Sequence, residues 1–82
     1  MKWVITQDQI DNGEAVGKGT FKGDAAALPH AFRLLDDDGE VYYHGRSSDN
    51  SSEAAFQPLD WAMAHAGCTT IQYRNGSTWE TL

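Results

Sequence analysis

Four acidic side chains stand within five positions of the stretch LLDDDGEVYYHG, residues 34–45. So many carboxylates could attract Ca²⁺ or Mg²⁺, but an EF-hand calcium loop needs a glycine at its sixth position and a glutamate at its twelfth. Counted from Asp36, Gly39 is fourth and Ser47 is twelfth, so this pattern fails. Asp-Gly between alternating apolar residues is instead typical of a tight turn. The stretch predicts a β-hairpin with a two-residue type I′ turn at Asp38-Gly39.

His65 and Cys68 are also spaced so that they could do chemistry. Residues three positions apart can share a zinc ion, but a structural zinc needs four ligands and no second Cys/His pair exists. A thiol and an imidazole could also act as nucleophile and base, although no orienting or oxyanion-stabilising element can be identified around them. We therefore predict no metal, no cofactor and no catalytic activity.

The stretch GEAVGKGT, residues 13–20, resembles a phosphate-binding loop only in part. That motif requires four residues between its glycines and a hydroxyl after its lysine. Here the spacing from Gly13 to Gly17 is one residue short, and Gly19 stands where the hydroxyl is required. The stretch is predicted to be a flexible loop.

The charge balance limits the classes of partner. Twelve acidic residues against six Lys and Arg give a net charge of −6. Phosphate contacts need clustered basic side chains, so we expect no direct nucleic-acid binding. No segment is apolar enough for a membrane span, no signal peptide opens the chain, and one cysteine suits a reducing compartment. These features predict a cytoplasmic protein that meets a basic surface, unless its acidity serves solubility alone.

Strand and turn signals predict one α+β domain over residues 1–82, with a mostly antiparallel sheet of about four to five strands. A strand at Lys2–Gln7 precedes a glycine-rich loop, 12–23, in which 19–22 could form a short strand. In the first hairpin, the predicted turn pairs Leu34 with Tyr43, Phe32 with Gly45 and Asp36 with Val41. In the second, a three-residue loop at 74–76 is preferred to a two-residue turn at 75–76. It places Ile71, Tyr73 and Trp79 on one face.

Helix signals are confined to two places. Asp24 is placed to cap a turn of helix before Pro29. After a polar loop at 46–53, Pro58 suits the first position of a short helix near 58–66, which Gly67 would end. Four residues form the apolar side of this helix, namely Leu59, Ala62, Met63 and Ala66.

Three stretches resemble a group of small acidic bacterial and phage-associated proteins: FRLLDDDGEVYYHGR (32–46), FQPLDW (56–61) and AGCTTIQYRNGSTWETL (66–82). That group shares a Phe-Arg, acidic-turn and Tyr-Tyr-x-Gly segment, then Pro-Leu-Asp, Ala-Gly-Cys-Thr and a final strand pair with Tyr and Trp. The opening Trp-Val-Ile-Thr also fits, whereas residues 12–30 do not. The group has no established activity, so the resemblance implies a discrete domain and supplies no catalytic residues.

The sequence therefore predicts a non-catalytic interaction domain that docks on a basic protein surface, such as that of a nucleic-acid-binding protein. One alternative is a phage-type inhibitor that occupies a DNA channel by charge mimicry. Another is a structural subunit that forms a homodimer through exposed strand edges. The candidate contact residues are Arg33, Asp36, Asp37, Asp38, Glu40, Tyr42, His44 and Trp61. Tyr and Arg are included because both are favoured at interface hot spots.

Overall fold

Five strands form one antiparallel sheet, and the computed structural model describes every residue from Met1 to Leu82. The strands are β1 (Trp3–Asp8), β2 (His30–Leu35), β3 (Val41–Ser47), β4 (Thr70–Asn75) and β5 (Thr78–Thr81). Their order across the sheet is β1-β3-β2-β4-β5, with α1 (Ser52–Ala66) between β3 and β4 in sequence. The predicted α+β class is confirmed. No helix has the length and apolar character that crossing a membrane would require.

The β2–β3 hairpin keeps most of its predicted register around a different turn. Leu34 pairs with Tyr43 and Phe32 with Gly45, as predicted. Gly39 has a φ of 80°, but Asp38 has no positive φ, so the turn is not type I′. Asp36 therefore faces Glu40 across a three-residue loop, and the predicted pairing of Asp36 with Val41 is wrong. A bulge between Leu34 and Leu35 restores the register.

The β4–β5 hairpin differs from the preferred prediction. Arg74 pairs with Trp79 and Asn75 with Thr78, which leaves Gly76 and Ser77 as a two-residue turn. Gly76 has a φ of 62°, and glycine at the first central position is what a type II′ turn requires. The predicted loop pairs Tyr73 with Ser77, whereas Tyr73 pairs with Glu80, a shift of three residues. Because side chains alternate along a strand, a shift by an odd number places Trp79 on the face opposite Tyr73.

Helix α1 begins six residues earlier than predicted. Ser51 caps it by accepting a hydrogen bond from the Ala54 N–H at 3.1 Å, and Glu53 lies in its first turn. Pro58 therefore lies inside the helix rather than at its first position. Gly67 ends the helix in the left-handed conformation, with a φ of 77°, as predicted. The buried side is Ala54, Ala55, Pro58, Leu59 and Ala62, whereas Met63 is exposed.

The helix covers one face of the sheet only. Its Ala55, Leu59 and Ala62 join the core, whose strand residues are Trp3, Ile5, Phe32, Leu34, Tyr43, Ile71 and Tyr73. These strand residues all project from the same side, which we call the helix face. The alternate residues project from the opposite side, which we call the open face.

The loop between β1 and β2 protects one edge of the sheet. The Ile5 N–H donates to the Lys18 carbonyl, the Gly17 N–H donates to the Ile5 carbonyl, and Val4 forms an isolated bridge with Gly19. This bridge is all that forms of the strand suggested for residues 19–22. Asp24 caps a 3₁₀ turn at Ala25–Ala27, as predicted, by accepting from the Ala26 N–H. Strand β5 forms the other edge of the sheet.

Candidate functional site

The tip of the β2–β3 hairpin is organised by the Asp36 carboxylate. Its Oδ1 accepts hydrogen bonds from the backbone N–H groups of Asp38 and Glu40, both at 2.9 Å. The Glu40 N–H is the largest influence on the pKa of Asp36, which lies below its ordinary value, and the Tyr42 hydroxyl adds to this effect. Asp36 is therefore part of the turn itself, and Tyr42 is held at its base.

The other carboxylates of the tip carry uncompensated charge. Asp37, Asp38 and Glu40 are exposed, and none lies within ion-pair distance of a lysine or arginine. The single ion pair in the structure joins His65 Nε2 to Asp11 Oδ2 at 3.6 Å, elsewhere in the fold. The tip thus presents three negative charges on a backbone that Asp36 holds in place.

Arg33 and His44 lie on the open face, as a cross-strand pair. The Arg33 Nε–H donates to Gln72 Oε1 at 2.6 Å, and its guanidinium lies 4.4 Å from the centroid of the Trp79 ring. His44 lies 6.1 Å from the same ring. Burial, and then the charge of Arg33, lower the pKa of His44. His44 is therefore neutral at neutral pH.

Trp61 belongs to the helix face. It is half-buried against the core, with ring centroids 5.9 Å from Trp3, 5.1 Å from Tyr43 and 5.1 Å from the stacked ring of His65. The candidate residues therefore lie on three separate parts of the surface: the hairpin tip, the open face and the helix. Trp61, on the helix, is on the opposite side of the sheet from Arg33 and His44.

The sequence reasoning missed several residues of the open face. Trp79 is the central one, because it contacts Arg33 and also lies 5.9 Å from the guanidinium of Arg74. The preferred loop at 74–76 predicts Trp79 on one face with Ile71 and Tyr73, and this register is wrong because Trp79 pairs with Arg74. The dipeptide Gly76-Ser77 is itself a hairpin-turn signal and would have placed Trp79 correctly.

A shallow depression of about 430 Å³ lies beside the loop after β1, lined by Glu14, Ala15, Lys18 and His65. Nearby, the Asp8 carboxylate accepts three backbone hydrogen bonds, from Ile10, Asp11 and Ala15, each at 2.9 Å. Burial opposes ionisation of Asp8, but these bonds and the charge of His65 outweigh it and lower the pKa. The Asp8 carboxylate therefore has a structural role, because its hydrogen bonds fix the conformation of this loop.

Cys68 is fully buried in the core. Burial, together with the charge of Asp36, raises the pKa of its thiol to about 11. At neutral pH the thiol is protonated and shielded, which is the opposite of what a nucleophilic cysteine requires. No three His, Cys, Asp or Glu side chains are grouped so that they could hold a metal ion.

Comparisons of the chain with protein-family models, with curated proteins and with solved structures found no match. The resemblance to small acidic bacterial and phage-associated proteins thus stays a prediction.

Proposed function

We propose that this chain is a non-catalytic interaction domain that docks on a basic protein surface through its β2–β3 hairpin tip. The observation that supports the proposal is the set of exposed carboxylates at the tip, Asp37, Asp38 and Glu40, which have no basic partner within the chain. Charges that are not neutralised internally are free to steer an oppositely charged partner.

The conformation of the tip also suits recognition. Asp36 binds two N–H groups of the loop, so the three exposed carboxylates project from an ordered turn rather than from a flexible segment. Ordering before binding lowers the entropy lost on association. We place the domain in the cytoplasm, because its lone cysteine forms no disulfide.

The test compares two double variants that remove the same charge. Asp37→Asn/Asp38→Asn removes two charges from the tip, and Glu53→Gln/Asp60→Asn removes two exposed charges from α1. A partner is first captured from lysate with nuclease present, and its affinity for each variant is measured at low and high salt. Exposed charge pairs are each worth about 0.2–1 kcal/mol, so losing two of them should weaken binding of the tip variant by about two- to thirtyfold. It should also show a shallower salt dependence, whereas the α1 variant should bind like the wild type.

Two results would count against the proposal. Equal affinity of the tip variant and the wild type at low salt would show that the tip makes no contact. Equal weakening by both variants would show that only the overall charge matters. Competition with duplex DNA then addresses the charge-mimic alternative, because a DNA mimic must lose its target to added duplex.

A further inference from the structure

All three arginines of the chain project from the open face. Arg33 pairs with His44 and with Gln72, Arg46 lies two residues beyond His44 on β3, and Arg74 lies two residues beyond Gln72 on β4. Ala31 pairs with Arg46, and Ala31 and Arg74 are the next residues beyond the last β2–β4 pair, Phe32 with Tyr73, so Ala31 lies between Arg46 and Arg74 in the order of the strands. Strands are about 4.8 Å apart, so the backbones of these two arginines are about 10 Å apart, with a small residue between them.

None of these arginines is neutralised within the chain. Each uses its Nε–H to hold a neutral acceptor: Arg33 holds Gln72 Oε1 at 2.6 Å, Arg46 the Leu28 carbonyl at 2.7 Å, and Arg74 the Gly76 carbonyl at 2.9 Å. No arginine has a carboxylate within ion-pair distance. Arg46 also donates from Nη2 to the Pro29 carbonyl at 3.3 Å. The side chains are thus held by neutral acceptors, and each guanidinium keeps further terminal N–H groups that make no hydrogen bond within the chain.

Acidic side chains are absent from the strands on this face. The two strand acids are Asp8 and Glu80, and they pair with Tyr43 and Tyr73, which lie on the helix face. The whole chain has twice as many acidic as basic residues, yet the three arginines lie on one face of the sheet and none has a carboxylate within ion-pair distance. This arrangement is unfavourable for the isolated domain, and an anionic ligand would relieve it.

We propose that the open face binds an extended acidic segment of a partner protein, through Arg33 and Arg74 beside Trp79 and through Arg46 on the same face. Guanidinium groups form paired hydrogen bonds with carboxylates, and Trp79 and the neutral His44 supply apolar contact for the peptide backbone. Alternate side chains of an extended chain project on one side about 7 Å apart, a spacing that arginine side chains on neighbouring strands can reach. This surface is separate from the hairpin tip, so the proposal does not depend on the function proposed above.

An acidic peptide fits the face better than a nucleic acid does. Single-stranded nucleic acids are held by several stacking platforms in a basic groove, whereas this face has one tryptophan, already covered by Arg33. The net charge of −6 also repels a long polyanion more strongly than a short peptide.

The test is an NMR titration of the ¹⁵N-labelled chain with a blocked ten-residue peptide of alternating Glu and Ser. The indole N–H signal of Trp79 should shift, and so should the Nε–H signals of Arg33 and Arg74. The indole N–H signals of Trp3 and Trp61 should not shift. A Gln-Ser peptide should cause no shift. Because the shift pattern is read on the wild-type chain, the result does not depend on any variant folding.

Matched variants sharpen the assignment. Arg33→Gln/Arg74→Gln should weaken peptide binding at least tenfold, whereas Lys18→Gln/Lys22→Gln, with the same change in charge, should not. Three outcomes would overturn the proposal: no shift at Trp79, tighter binding of a ten-residue oligo-dT than of the peptide, or shifts centred on the lysines. Self-association that Arg33→Gln/Arg74→Gln abolishes would instead identify a second copy of the chain as the occupant.

Discussion

Replacing Gly45 by alanine should destabilise the fold strongly, because a methyl group at this position has no space. Gly45 lies in the middle of β3 and pairs with Ile5 on one side and Phe32 on the other. A Cβ at this position would overlap Phe32 Cζ, lie 2.8 Å from Phe32 Cε1 and lie 2.6 Å from the Val4 carbonyl oxygen. Because the ring belongs to the buried core and the oxygen to a neighbouring strand, neither can move away easily.

The expected cost follows from these contacts. Overpacking a core by one methyl group costs about 1–3 kcal/mol. Because the added carbon meets both a ring and a backbone atom, Gly45→Ala should cost about 3 kcal/mol, the upper end of this range. A domain of this size loses about 4–8 °C of Tm per kcal/mol, so Tm should fall by about 12–24 °C. The same clash would disturb the register that sets His44 opposite Arg33, and with it the open face.

Thermal and urea unfolding followed by circular dichroism measure the effect. The matched control is Gly67→Ala at the end of α1, where φ is 77° and no atom lies within 4 Å of the added carbon. Its cost is the backbone strain alone, about 1–2 kcal/mol. If Gly45→Ala cost no more than Gly67→Ala, Phe32 would not pack over Gly45, and the β2–β3 register described here would be wrong.

Two further outcomes are expected. Cys68 should resist a thiol reagent such as DTNB in the native state and react fully in urea, because it is buried and its thiol has a pKa of about 11; rapid native labelling would contradict this. Asp8 has a lowered pKa, so its carboxylate contributes stability above its ordinary value of 3.8 and loses it as the pH falls through the folded value. Asp8→Asn should cost about 1 kcal/mol in urea unfolding at pH 7, the usual cost of losing a capping carboxylate, and progressively less below pH 3.8. A difference that stays constant with pH would show that the charge of Asp8 has no part.

The first hairpin could be predicted from sequence because several local signals agree. Asp-Gly marks the turn, and Phe32, Leu34, Val41 and Tyr43 recur at every second position, so turn chemistry and strand period select the same register. The turn type could not be predicted, because Asp36 competes for the loop N–H groups through its own side chain.

The last hairpin and the helix show why the rest could not be predicted. Asn-Gly and Gly-Ser overlap at residues 75–77, and the preference for a register with Ile71, Tyr73 and Trp79 on one face favoured the wrong alternative. Trp79 is half-buried outside the core because Arg33 covers its ring, a contact between strands that one sequence does not specify. The helix began early because Ser51 and Glu53 supply a stronger start signal than Pro58.

The net charge of this chain is a poor guide to the local surface charge at the site where a partner binds. At physiological ionic strength, exposed charges are screened within about 8 Å, so a partner senses the local surface more than the sum over 82 residues. At the hairpin tip, that surface is three carboxylates without a cation. On the open face, it is three guanidiniums without an anion. The net charge alone predicts a basic partner only. The fold places the carboxylates and the guanidiniums on different surfaces, which suits a basic partner at the hairpin tip and an acidic partner on the open face.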